Sequence, residues 1–215
     1  MFSTPLNAKS QLSGNCFKVR LLLSILGVQY ETEVVEFHPG REHKRPAFLR
    51  INPMGQLPVL QNGEKIIRDS QAILVYLASI FDPSRKWYPL DQPEVLGDIQ
   101  VWLAFADSLT GSLSAARLHE LFMYDFDADA CRARAQTLLE VMDKHLWINR
   151  QQDFKFLCPL AHATIADIAC FPYVAMADEA GLSLQDYPSV RLWLDEVRRI
   201  PGFTVMAGIF PAGKP

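Results

Sequence analysis

The sequence lacks the features that mark membrane, secreted or nucleic-acid-binding proteins. Its longest apolar candidate, LLLSIL at residues 21–26, is far shorter than the ~20 residues of a membrane helix. The first ten residues, MFSTPLNAKS, have neither the charged nor the apolar region of a signal peptide. A formal net charge of −3 provides no basic surface overall. We therefore expect neither a membrane nor nucleic acid among the partners.

The sequence also lacks paired cysteines and internal repeats. Cys16, Cys131, Cys158 and Cys170 form no CxxC pair and have no metal-ligand spacing. This pattern predicts reduced thiols, a cytoplasmic location and no bound metal. Hydrophobic residues make up 49% of the chain and charged residues 21%, as in globular proteins. With 215 residues, the chain can form one or two domains with cores of their own.

Strand-like alternation is confined to the first part of the chain, and helical spacing of apolar residues dominates the rest. The segment between them, DPSRKWYPLDQPE at residues 82–94, contains three prolines and is read as a linker. We predict an α/β domain over residues 1–81 and an all-helical domain over residues 93–215.

The elements of the first domain follow from their apolar periods. Tyr30, Thr32 and Val34 alternate with charged residues, which predicts a half-buried strand. The order strand, helix, strand implies parallel pairing of the two strands. The predicted elements are a strand within 1–11, a helix over 17–26, a strand over 28–37, a short helix at 45–49, a hairpin near 57–67 and a helix over 71–81.

The hairpin lies in the most informative stretch, INPMGQLPVLQNGEKIIRDS at residues 51–70. Asn62-Gly63 separates two apolar runs and predicts a tight turn with positive φ at both central residues. Pro58 stands at the start of a strand, where a missing N–H is tolerated. Ser70 suits the N-cap of the next helix, whose free N–H groups favour an anion.

In the second domain, apolar stripes predict helices over 95–122, 127–147 and 188–200. Thr164-Ile165-Ala166-Asp167 has capping-box spacing, with Asp in place of Glu or Gln. The helix that it opens is apolar nearly all round, which predicts the centre of the domain.

Two motifs resemble the glutathione-binding half of soluble glutathione S-transferases. They are Asn-Pro-x-Gly-x-x-Pro-Val-Leu at residues 52–60 and Asp-Ser-x-Ala-Ile at residues 69–73. The Thr-Ile-Ala-Asp and C-terminal Pro-Gly-Phe patterns resemble that family's helical domain. The resemblance is to bacterial, Ser-type or theta-like members. It implies an α+β fold, with a thioredoxin-like βαβ-α-ββα domain followed by an all-helical domain, and it implies a cis Pro58.

The resemblance also implies how glutathione is held. The backbone of Leu57, before Pro58, pairs with the cysteinyl part, and Asp69 and Ser70 hold the γ-glutamyl end. His43 matches a histidine that contacts the glycyl carboxylate in theta-like relatives; its alternative is a solvated loop histidine. Gln56 matches a nearby position where relatives have Lys or Gln.

The expected catalytic task is to stabilise the glutathione thiolate, since a free thiol has a pKa near 8.5 and ionises little at neutral pH. A helix N-terminus and one hydroxyl donor achieve this. Ser13 lies where the first helix begins and is the expected donor; the alternative is that it only caps the helix. Asn15 and Cys16 are rival groups, and Cys16 could form a mixed disulfide with glutathione.

The predicted function is a glutathione transferase that attacks a small hydrophobic electrophile with glutathione as co-substrate. Arg117, Phe122 and Tyr124 are the candidates for the second-substrate site. Three alternatives remain open: a glutathione-dependent disulfide or peroxide reductase using Cys16, an isomerase or dehalogenase, and a non-catalytic glutathione-binding regulatory protein. The resemblance further implies a homodimer, which we relate to apolar residues such as Trp102 and Phe105.

Overall fold

The structure is a computed structural model that describes residues 2–5, 13–206 and 209. Its strands are β1 (Phe2–Pro5), β2 (Glu31–Glu33), β3 (Val59–Asn62) and β4 (Lys65–Arg68). Its helices are α1 (Gly14–Ile25), α2 (Pro46–Ile51), α3 (Ser70–Phe81), α4 (Pro93–Leu109), α5 (Ala115–Phe122), α6 (Ala128–Arg150), α7 (Ile165–Ala175) and α8 (Pro188–Arg198). A π-helical turn, Thr110–Ser114, joins α4 to α5.

The first half is built on a four-stranded sheet with the order β2-β1-β3-β4. β1 pairs in parallel with β2 and antiparallel with β3. The parallel pairing and the hairpin are as predicted, but the turn is shifted by one residue. Asn62 ends β3 and pairs with Lys65, so the two central residues are Gly63 and Glu64, and of these only Gly63 has positive φ (60°). Together with α1, α2 and α3 these strands form the expected thioredoxin-like unit. The first strand was expected within residues 1–11, of which residue 1 and residues 6–11 lie outside the described residues.

The second strand differs from its prediction. It spans three residues rather than ten, and it is exposed along its whole length. Val34, expected on the inner face, is 63% exposed, whereas Val35 is buried with Phe48 and Val59. The alternating pattern predicts that Val34 faces inward and Val35 outward, and the structure has the reverse. A shift of one residue along a strand is enough to exchange its two faces.

The start of α3 also differs from its prediction. Asp69, not Ser70, is the N-cap, and its Oδ1 accepts hydrogen bonds from Gln71 N–H at 2.9 Å and Ala72 N–H at 3.0 Å. Asp69 has φ 76°, a conformation that is uncommon outside glycine. Ser70 is instead the first helical residue and is buried.

Beyond the linker, the described residues form helices and one isolated bridge between Met206 and Ile209. Every residue from 165 to 174 is buried, so α7 is the central helix, as predicted. The capping box is formed: Thr164 Oγ1 accepts from Ala166 N–H at 3.2 Å, and Asp167 Oδ2 accepts from Thr164 N–H at 2.9 Å. α7 packs against both α4 and α1 and thereby joins the two halves. The domain limits at residues 81 and 93 stay a prediction.

Trp102 does not lie on the surface where a dimer contact was expected. It is 7% exposed, and its ring packs edge-on to Phe105 at 4.9 Å and against His145 at 4.7 Å. The outward residue of this part of α4 is Val101, which is 65% exposed.

Candidate functional site

A cavity of about 370 Å³ lies between the thioredoxin-like half and the helical half. Its walls come from the start of α1, the loops on either side of α2, and the segment from the π-helical turn to residue 126. The predicted residues that line it are Ser13, Asn15, His43, Gln56, Leu57, Arg117, Phe122 and Tyr124. Cys16, Pro58, Asp69 and Ser70 do not line it. The structure therefore brings together most, but not all, of the residues chosen from the sequence.

Ser13 is the N-cap of α1 and lines the cavity. Its extended backbone (φ −82°, ψ 117°) lets the side-chain oxygen accept a hydrogen bond from Cys16 N–H at 3.3 Å. A hydroxyl that accepts from a backbone N–H keeps its own proton for another acceptor. The capping role and the donor role expected for Ser13 are thus compatible.

Asn15 and Ser70 contact each other behind the cavity wall. The Ser70 hydroxyl donates to Asn15 Oδ1 at 3.3 Å, and it also contacts the Gln71 side-chain oxygen. This contact connects the first turn of α1 to the first turn of α3. The side chain of Asn15 is therefore positioned by the segment that contains Asp69.

Cys16 points away from the cavity into the core. Its side chain is fully buried, and burial raises the pKa of the thiol to about 11, although the Ser13 hydroxyl and the charge of Arg20 act in the opposite direction. Only the thiolate is an effective nucleophile. These features disfavour the redox role considered for Cys16.

His43 is neither solvated nor charged, contrary to one interpretation of its loop. It is 3% exposed and stacks on Phe37, with the ring centroids 4.3 Å apart. Burial and the nearby charges of Lys44 and Arg41 lower its pKa to about 4. Its Nδ1 has no hydrogen-bond partner among the described residues. His43 therefore offers a neutral ring to the cavity at physiological pH.

The loop before β3 is held in one shape by Asn52. Its Nδ2 donates to the backbone oxygen of Gln56 at 2.8 Å, and its Oδ1 accepts from Met54 N–H at 3.1 Å. The Leu57–Pro58 peptide bond is cis, as the family resemblance implied. Gly55 has φ 57°, and a Cβ there would lie 2.7 Å from the backbone oxygen of His43. Glycine is therefore required where this loop passes the His43 turn.

Aromatic side chains form the wall on the helical side. Phe122, at the end of α5, packs against His38 of the first half with the ring centroids 5.1 Å apart. Tyr124 stacks nearly parallel to Phe126. Arg117 is buried and its Nε donates to Glu179 Oε2 at 2.5 Å, which holds α5 against the turn after α7. This wall suits a flat apolar group.

Comparisons with known proteins identify the family of this chain. Residues 11–79 match the model of the glutathione S-transferase N-terminal domain. A glutathione S-transferase structure from Pseudomonas fluorescens is 30% identical with a TM-score of 0.83, and the match covers 95% of this chain and 98% of that one. The chain belongs to the glutathione S-transferase family.

The chain also matches two other proteins, one over part of its length and one at lower identity. Glutathione S-transferase 1 of Dianthus caryophyllus is 40% identical over 80 residues, which are 37% of this chain but only 35% of that protein. A structure of Ure2p in complex with glutathione is 25% identical with a TM-score of 0.79, covering 94% of this chain and 95% of that one.

The charges around the cavity of this transferase-family protein are of one sign. Arg41, Lys44 and Arg117 line it, and within the described part of the chain no Asp or Glu does. Such a lining favours an anionic ligand. The described residues contain no group of three His, Cys, Asp or Glu side chains that could hold a metal ion. Nor does any described helix have the length and apolarity needed to span a membrane.

The sequence analysis missed several residues that line the cavity, among them Tyr173, which brings a polar group to the N-terminus of α1. It comes from α7, and its hydroxyl accepts a hydrogen bond from Asn15 N–H at 3.3 Å. Ser114, on the π-helical turn, also lines the cavity and hydrogen-bonds to the Tyr173 hydroxyl. The sequence did contain one signal for Tyr173: it is the one tyrosine of a helix that is apolar beyond its first turn. A buried tyrosine hydroxyl usually has a polar partner, so such a residue points to a polar site nearby.

Proposed function

We propose that this protein is a Ser-type glutathione transferase that activates the glutathione thiolate for attack on a hydrophobic electrophile. One observation carries the proposal. A single cavity contains the capped N-terminus of α1 with Ser13, the loop at Leu57 next to cis Pro58, and an aromatic wall from the helical half.

Glutathione fits this site by charge and by shape. Leu57 lines the cavity, and its backbone would pair with the cysteinyl part. The exposed Asp69 carboxylate at the start of α3 would meet the ammonium group. The Ser70 N–H would meet the α-carboxylate, because Asp69 Oδ1 already accepts from the next two N–H groups of the helix. The glycyl carboxylate would point toward Lys44 and the neutral His43. The Ure2p structure with bound glutathione supports this ligand.

The sulfur would then lie at the N-terminus of α1. The partial positive charge of the helix end favours an anion there, and the Ser13 hydroxyl supplies a directed donor. A charge-assisted hydrogen bond contributes ~1.5–3 kcal/mol, which corresponds to a fall of about one to two units in the pKa of the bound thiol. The bound thiol would then have a pKa of about 6.5–7.5, so that about a quarter to three quarters of it is ionised at pH 7.

The electrophile would enter over the sulfur from the aromatic side. Phe122 and Tyr124 provide flat apolar surfaces, and Arg117 provides a positive charge close to them. This combination favours aromatic electrophiles, with an electron-withdrawing or anionic substituent toward Arg117.

Two parts of the proposal concern the protein beyond the cavity. We expect a homodimer that joins the α/β half of one copy to the helical half of the other. The resemblance to the glutathione S-transferase family is the reason for this expectation, and Met54 (68% exposed) and Val101 (65% exposed) are apolar side chains, one on each half, that such an interface would cover. We also expect a cytoplasmic location, consistent with four cysteines that are all free.

The test compares Ser13→Ala with Cys16→Ser in two assays, conjugation of a chloronitrobenzene and reduction of a glutathione disulfide. We expect Ser13→Ala to slow conjugation about ten- to hundredfold, and Cys16→Ser to change it little. Ser13→Thr keeps both the cap and the hydroxyl and is the control for loss of the cap. If Cys16→Ser abolishes disulfide reduction, the reductase is the function. If the wild type binds glutathione but is inactive in both assays, the binding-protein alternative stands.

A further inference from the structure

We infer that Tyr173 is a further catalytic residue, whose phenol O–H donates a hydrogen bond to the glutathione sulfur beside Ser13. The inference rests on the proposed function, because it concerns the same thiolate. Tyr173 lies in the helical half, 158 residues from Asn15 along the chain. The cavity would thus hold the sulfur with one donor from each half of the molecule.

The phenol oxygen is fixed at the N-terminus of α1. It lies 3.3 Å from Asn15 N–H, on the same first turn whose Cys16 N–H is bound by Ser13. Tyr173 is 5% exposed, yet it lines the cavity together with Ser13 and Asn15. Its hydroxyl and the Ser13 hydroxyl therefore face the same end of the same helix.

The sequence makes room for this ring at Gly14. A Cβ at Gly14 would lie 2.8 Å from both Cε1 and Cζ of the Tyr173 ring, closer than real Cβ contacts allow. Gly14 has no need of a positive φ, because it is an ordinary helical residue. Glycine, a poor helix former, is therefore explained here by the approach of Tyr173 rather than by backbone conformation.

Hydrogen-bond capacity leaves the phenol proton available. A backbone N–H can only donate, so the Asn15 contact uses one acceptor position of the phenol oxygen and leaves its O–H to point elsewhere. The Ser114 hydroxyl can either donate or accept, so it does not fix that proton. Burial raises the pKa of Tyr173 above its usual value, which keeps the phenol protonated and able to donate at neutral pH.

Charged and titratable groups surround the Tyr173 ring and affect its phenol O–H. From α1, the fully buried Lys18 holds its Nζ 5.5 Å from the ring centroid, without a hydrogen-bond partner among the described residues. The Cys16 thiol also faces the phenol, and the charge of Arg117 on α5 favours its ionised form. A positive charge near a neutral phenol makes its O–H a stronger donor. A thiolate in the cavity would be its acceptor.

The experiment titrates the thiol of glutathione bound to the intact protein, through the ultraviolet absorbance of the thiolate. Tyr173→Phe should raise the pKa of the bound thiol by about one unit, a tenfold loss of ionisation. S-methylglutathione has no ionisable thiol, so its dissociation constant should change less than about twofold. A merely structural role for Tyr173 would instead weaken both ligands together. Tyr187→Phe, outside the cavity, is the matched control.

A second variant guards against misfolding of Tyr173→Phe. Site-specific fluorotyrosine at position 173 keeps the ring and its packing, but makes the phenol a stronger donor, and should lower the pKa of the bound thiol. If neither variant shifts this pKa while Ser13→Ala does, Tyr173 is not a donor and the proposed function survives. If wild-type protein binds no glutathione, the proposed function fails, and this inference fails with it.

Discussion

Asp69 has two roles in the structure, and a test of its proposed contact with glutathione must separate them. Its carboxylate caps α3 through Oδ1, with contacts of 2.9 and 3.0 Å to two backbone N–H groups. Asp69→Ala therefore removes a helix cap as well as the proposed partner of the glutathione ammonium. Loss of the cap alone costs about 1 kcal/mol of stability. The variant cannot separate the two roles.

Asp69→Asn separates them. Asparagine caps helices as well as aspartate and matches it in size and shape, so it can take up the backbone conformation of Asp69, with φ 76° and ψ 131°. We expect its free energy of unfolding to stay within about 0.5 kcal/mol of wild type. Losing a charge-assisted hydrogen bond worth ~1.5–3 kcal/mol should weaken glutathione binding about ten- to hundredfold.

The assay is a double-mutant cycle by calorimetry, with glutathione and N-acetylglutathione as the two ligands. Acetylation removes the ammonium, so wild type should lose about as much affinity as Asp69→Asn loses with glutathione, and the variant should lose little more. Full additivity of the two losses would mean that Asp69 and the ammonium do not interact. An unchanged affinity in Asp69→Asn, with a loss in Asp69→Ala, would reduce Asp69 to a helix cap.

Two further predictions follow from burial. Of the four cysteines only Cys131 is not buried, so one thiol per chain should react rapidly with Ellman's reagent in the native protein and four after denaturation; rapid modification of Cys16 would contradict its position in the core. The pKa of His43 is about 4 when folded and ~6.5 when unfolded. Its neutral form therefore stabilises the fold fully above about pH 6.5, and this contribution falls by roughly 1–3 kcal/mol as the pH is lowered toward 4. His43→Gln should flatten that part of the stability–pH curve measured by urea unfolding, and an unchanged slope would refute the burial argument.

Local sequence signals located the elements that hold the cavity. Asn62-Gly63 gave the hairpin, and Thr164 with Asp167 gave the start of α7. These local signals gave the wrong residue where two neighbouring residues can both fill the same structural role. Asp69 and Ser70 can both cap a helix, and the contact of Ser70 with Asn15, 55 residues away, accompanies the arrangement in which Asp69 is the cap. Val34 and Val35 can likewise both face inward, and only packing with Phe48 and Val59 decides between them.

Tyr173 was missed for a different reason. Its helix was correctly predicted to be central, but no residue of that helix was predicted to line the site. The hydroxyl reaches the cavity because α7 packs directly on α1 and because Gly14 leaves space for the ring. No spacing along the chain relates Gly14 to Tyr173, and a glycine near a helix start is also compatible with flexibility. Their connection is visible only in three dimensions.

The first turn of α1 leads to a specific view of how the thiolate would be stabilised. The Asn15 and Cys16 N–H groups, which would be free at an uncapped helix end, are bound by the Tyr173 and Ser13 oxygens. The positive end of the helix would then act on the sulfur through two hydroxyls, each made a better donor by the N–H that it accepts. On this view each hydroxyl acts on the sulfur with its own backbone N–H behind it. Removing one oxygen, in Ser13→Ala or Tyr173→Phe, frees only that N–H, which can then bind the sulfur directly and keeps each single variant near the lower end of the expected rise of about one to two units in the thiol pKa. The double variant should show about the sum of the two rises, and a rise well short of the sum would mean that the two hydroxyls do not act on the sulfur separately.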